Sequence, residues 1–147
     1  MDILQTIESD LKEALKKGEA IRLRLLRGLR AALYNAKIAK RAVLEQADVL
    51  KVIQMELKKR KEAIEAFIKA GREQSAKEEQ EEADILTTFL PKQLSDEELE
   101  SVISKKAEAM NVSDMKGFGK LMGAVMKEVG ATASGDRVRE KIEKRFK

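Results

Sequence analysis

Apolar residues recur along this chain at spacings of three and four, and almost nowhere in strict alternation. Ile3, Ile7, Leu11, Ala14 and Leu15 form one stripe at helical spacing, stopped by Gly18. Ile21, Leu25, Leu29, Ala32, Leu33 and Ala36 form a second. Leu50, Ile53, Leu57, Ile64, Phe67 and Ile68 form a long third one that ends near Gly71. A fourth segment, from Glu73 to Leu90, begins acidic and closes on Ile85, Leu86, Phe89 and Leu90. Pro91 forbids its continuation, because the ring removes an N–H and clashes with the preceding turn. Beyond it, Ser95 and Glu98 have the spacing of a capping box, opening a helix with Leu99, Val102, Ile103 and Ala107. After a turn from Asn111 to Gly117, Leu121, Met122, Val125, Met126 and Val129 make a further stripe. A small-residue loop from Gly130 to Gly135 leads to a last short helix with Val138, Ile142 and Phe146.

The pattern predicts an all-α protein of seven helices, four before a hinge at Pro91 to Leu94 and three after it. A β-rich chain would need turn residues every 8–12 positions or so, and before Pro91, the only proline, they are rare. Two small bundles follow, residues 1–91 and residues 92–147, since three short helices suffice to close a modest core.

Composition narrows the chemistry. The chain has 147 residues, 43% hydrophobic and 38% charged, with a net charge of only +4. It contains neither Cys nor His, which excludes disulfides, thiolate nucleophiles, imidazole bases and zinc or iron sites built on those ligands. Tyr34 and four phenylalanines are the only aromatic residues, too few to stack a row of bases. No apolar run approaches the roughly 20 residues needed to span a bilayer, and Met1 to Asp10 does not have the pattern of a signal peptide. The expectation is a cytoplasmic protein with no membrane segment, metal or cofactor, and no small-molecule substrate.

Several motifs fall short of an active site. Gly117, Gly119 and Gly123 suggest a dinucleotide fingerprint, but Met122 stands where its third glycine belongs and no strand precedes it. Gly119-Lys120 lacks the Ser/Thr and upstream glycine of a phosphate loop. The plain reading of these glycines is a turn and close helix–helix approach. Glu78, Glu79, Glu81 and Glu82 read as a solvated face, because hard-cation cages also draw oxygens from loops. The serines have no histidine to activate them.

Positive charge is the informative feature. From Ala20 to Arg41 the chain carries Arg22, Arg24, Arg27, Arg30, Lys37, Lys40 and Arg41 and no acid. All but Arg24 fall within an arc of roughly 140° beside the apolar stripe. Guanidinium groups bind phosphate bidentately and stay charged, so such a face suits nucleic acid. The alternative is an ordinary solvated surface, or one cancelled within the fold by the acids between Glu73 and Glu100. Arg60 lies on an apolar stripe, between Leu57 and Ile64, and is expected to pair structurally with a carboxylate such as Glu82.

The runs Met55-Glu56-Leu57-Lys58-Lys59-Arg60-Lys61-Glu62-Ala63-Ile64, Phe89-Leu90-Pro91-Lys92-Gln93-Leu94-Ser95 and Gly119-Lys120-Leu121-Met122-Gly123-Ala124-Val125-Met126 resemble the GatB/YqeY family, as do Arg27 to Asn35. The resemblance spans nearly the whole chain in order and is nearest to the stand-alone YqeY-like members. It implies a four-helix bundle and a three-helix one. It also implies kinship with the tail domain of the GatB component of the tRNA-dependent amidotransferase, where the tail grips tRNA and chemistry belongs to other domains. On this basis the chain is expected to be a non-catalytic tRNA-binding accessory protein, with an amidotransferase or an aminoacyl-tRNA synthetase as a possible partner. The alternatives are a carbon–nitrogen ligase using glutamine as amide donor, or an adaptor binding a partner helix in an apolar groove. Gly119, Lys120 and Arg137 are the expected primary RNA contact, at helix N-termini where free N–H groups favour phosphate. Arg27, Arg30 and Lys37 are the expected secondary one.

Overall fold

The computed structural model describes residues 2–147 and is all-helical: among them there is no strand. Seven α-helices follow in order: α1 (Ile3–Lys17), α2 (Ala20–Lys40), α3 (Gln46–Lys69), α4 (Glu73–Thr87), α5 (Asp96–Ala109), α6 (Phe118–Val129) and α7 (Gly135–Arg145). The chain divides into two compact units, the first ending at Leu90 and the second beginning at Pro91.

In the first unit the helix ends are locally encoded. Asp2 caps α1 by accepting from the Gln5 N–H, while its own N–H donates to the Gln5 side chain. Gly18 closes the same helix at φ +67°, a left-handed conformation that glycine adopts without strain. The end of α2 is different. Arg41, not a glycine, takes the left-handed position at φ +58°, its N–H donating to the carbonyls of Lys37 and Ile38. α4 stops three residues before the expected Leu90. The N–H groups of Thr88, Phe89 and Leu90 tighten to i−3 acceptors as the chain approaches Pro91.

Ile7, Ala14, Leu25, Leu26, Leu29, Leu33, Val49, Ile53 and Leu86 form the core of this unit. α3 packs chiefly along α4, and α1 along α2. A charged seam runs beside the core. Arg60 of α3 donates to Glu56 at 2.7 Å, and its Nε lies 3.5 Å from Oε2 of the buried Glu82. Arg24 of α2 holds the other oxygen of Glu82 at 3.2 Å. The expected pairing of Arg60 with Glu82 is present. Burial, with Glu82 close by, pushes the Glu79 carboxyl up from its ordinary value.

In the second unit Leu99, Ile103, Ala107, Leu121, Val125, Val129, Ala133, Val138 and Ile142 form the core. Ser95 and Ser134 cap α5 and α7, accepting from the N–H groups of Glu98 and Arg137. The segment expected to be a hinge is tied down within this unit. Gln93 Nε2 donates to the carbonyls of Pro91 and Ala131, and the Leu94 N–H donates to Thr132 at 2.8 Å.

Candidate nucleic-acid interface

α2 packs against α1, α3 and α4 through Leu25, Leu26, Leu29 and Leu33, so its opposite side faces solvent. Arg27, Arg30 and Lys37 are all exposed on that side. Ion pairing sorts the cations of this helix. Arg22 sits 3.3 Å from Glu19, Arg24 reaches Glu82, and Lys40 pairs with Asp48 of α3. Those three lie toward the edges of the face or toward its neighbours. At its centre Arg30 has one loose partner, Glu8 at 3.7 Å with both groups half exposed. Arg27 and Lys37 have no ion pair among the described residues. Glu82 is the only acid between Glu73 and Glu100 that reaches α2 in an ion pair, among the described residues, so the acidic segment leaves the outer face of α2 positive. Chemically this is a row of exposed guanidinium and ammonium groups one or two helical turns apart, suited to successive phosphates.

The C-terminal candidates differ from one another. Gly117 stands before the first turn of α6, and Lys120 is exposed in that turn, without an ion pair among the described residues. Arg137 is already occupied. Its guanidinium donates to Asp96 of α5 at 2.9 Å, and Lys141 adds contacts to Asp96 at 3.6 Å and to Glu100 at 2.9 Å. The hydrogen bond from Arg137 and the charge of Lys141 hold the Asp96 carboxyl below its ordinary range. Arg137 therefore fastens α7 to α5, and no ion pair or hydrogen bond links it to Lys120 among the described residues. The glycines also depart from expectation. A Cβ at Gly119 or Gly123 would meet nothing within 4 Å, so neither serves close packing. Only Gly117 is crowded, where a Cβ would come within 2.6 Å of Val112 Cγ1.

Tyr34 was not among the expected contact residues. It is 64% exposed at the middle of the basic face, with Ile38 one turn on at 57%. Its signal in the sequence was positional: Arg27, Arg30 and Lys37 stand at −7, −4 and +3 from it.

No described helix is long and apolar enough to cross a membrane, and no group of acids among the described residues is arranged to hold a metal ion. In comparison with known families, residues 4–146 match the family described as Yqey-like protein. Among curated proteins, the chain is 24% identical over 145 residues to "Altered inheritance of mitochondria protein 41, mitochondrial" of Pyrenophora tritici-repentis (strain Pt-1C-BFP), a match covering 96% of this chain and 79% of that protein.

Proposed function

The chain belongs to the YqeY-like family, and from that premise we propose that it is a non-catalytic RNA-binding accessory protein whose ligand is tRNA. We read the first unit as a four-helix bundle that carries the main contact and the second as a three-helix, tail-like domain. The observation that supports this most is the outer face of α2, where Arg27, Arg30 and Lys37 are exposed and the helix contains no acid. The cations of such a face neutralise phosphates of a folded RNA, and release of the counterions condensed on the RNA drives binding. Lys120 supplies a further, separate cation, while Arg137 keeps its structural partner Asp96.

Filter binding of total tRNA at several salt concentrations tests the proposal. The logarithm of the binding constant should fall linearly with the logarithm of salt. The slope should become shallower by about 0.7–0.9 for each phosphate contact removed, as in Arg27→Ala and Lys37→Ala. No binding at low salt, or a slope that neither variant changes, would overturn it.

A further inference from the structure

Within this RNA-binding reading, we infer that Tyr34 is a stacking platform for one unpaired base, with the cations around it holding the flanking phosphates. Viewed down α2, Arg27, Arg30, Ala31, Tyr34, Lys37 and Ile38 share an arc of about 120°, and all are exposed. Tyr34 thus has cations on both sides along the helix, Arg27 and Arg30 toward the N-terminus and Lys37 toward the C-terminus. Ala31, at −3, carries no long side chain that could lie over the ring, and the ring is 64% exposed. Ile38, at +4, offers an apolar edge beside the ring.

An aromatic ring this exposed on an acid-free, cationic helix, where among the described residues Glu8 of α1 touches only Arg30, suits a ligand that is polyanionic and flat at once. A nucleotide has both properties. A purely paired duplex offers only the first, because its bases are already stacked on one another and turned inward. The occupant is therefore RNA with an unstacked base, such as a loop of a folded tRNA. Because the remaining aromatic residues are four phenylalanines, none of them on α2, the platform takes one base and not a run.

The chain has one tyrosine and no tryptophan, so its intrinsic emission reports this site alone. Titrating the full chain with total tRNA should quench that emission, after correction for absorbance with free tyrosine amide, whereas a blunt RNA duplex should leave it nearly unchanged. In filter binding, Tyr34→Ala should weaken tRNA binding roughly tenfold, as expected for loss of one base–aromatic stack. It should leave the salt slope as in the parent chain. Tyr34→Phe should retain affinity within about twofold, since the phenyl ring stacks equally well. Arg27→Ala should also weaken binding, but with a slope shallower by about 0.7–0.9. tRNA binding with unquenched emission and unchanged affinity in Tyr34→Ala would overturn this inference and leave the RNA-binding proposal standing. Failure of the parent chain to bind any RNA would overturn both.

Discussion

Arg60 of α3 and Glu82 of α4 face each other at 3.5 Å, 19% and 7% exposed, in a position where the sequence pattern would otherwise place an apolar contact. Glu82 is shared: Arg24, from α2, holds its second oxygen at 3.2 Å. One carboxylate thereby joins three helices. An ion pair out of water adds little net stability over an apolar pair, but removing one partner strands the other.

Replacing Arg60 with Met should therefore lower stability by about 2–3 kcal/mol in urea unfolding. That is below the full value for breaking a buried pair, because Arg24 still holds Oε1. Adding Glu82→Leu to Arg60→Met should restore part of the loss. A double variant less stable than the single one would contradict this account.

Glu79 carries the opposite kind of effect. Burial and the neighbouring Glu82 raise its carboxyl above the ordinary value, against the opposing pull of Arg60 and Arg24. A carboxyl raised in the folded state burdens the fold at neutral pH, where it is ionised. That burden is relieved as pH falls through its raised value toward the ordinary glutamate range. Glu79→Gln should accordingly raise the melting temperature at pH 7, and the gain should shrink as pH is lowered into that range.

The glycines of the second unit separate two roles. Gly123→Ala adds a methyl to open space in the interior of α6 and should stabilise the unit by about 0.5–1 kcal/mol. Gly119→Ala, in the first turn, should have a smaller effect of the same sign. Gly117→Ala drives a Cβ against Val112 and should destabilise by about 1 kcal/mol or more. Urea unfolding of the three variants gives the comparison.

Lys120 and Arg137 should likewise separate. Lys120→Ala removes an exposed cation outside any described ion pair, so the melting temperature should hold while the salt dependence of tRNA binding becomes shallower. Arg137→Ala leaves Asp96 with Lys141 alone among the described residues, weakening the interaction that depresses its carboxyl, which supports the fold above its ordinary pKa and loses that support as pH falls through the depressed value. That variant should melt lower at pH 7 with little change in the slope.

The helices were legible because their signals are local. Gly18 and Ser95 mark ends through their own backbone and side-chain preferences, and the stripes at three and four predict the seven segments. Burial within a stripe was less legible. Leu26 and Val49 are buried although they lie outside the expected stripes. α2 meets three other helices, and its buried face is wider than a single stripe. Leu15 and Ile68, both within stripes, remain exposed near helix ends. For the interface, the acid-free run was visible, but which cations stay unpaired was not. Arg24 meets an acid 58 positions away and Arg137 one 41 positions away, separations that only the packed fold brings together. The exposure of Tyr34 was hidden for the same reason, since it depends on which flank of α2 the other helices cover.

Arg41 ends α2 in a backbone conformation that disfavours every side chain with a Cβ, by about 1–2 kcal/mol, and glycine is the natural occupant of such a position. Backbone strain and surface charge therefore meet at one residue. Arg41→Gly relaxes the helix end while deleting a cation beside the basic face, so melting temperature and tRNA affinity should move in opposite directions.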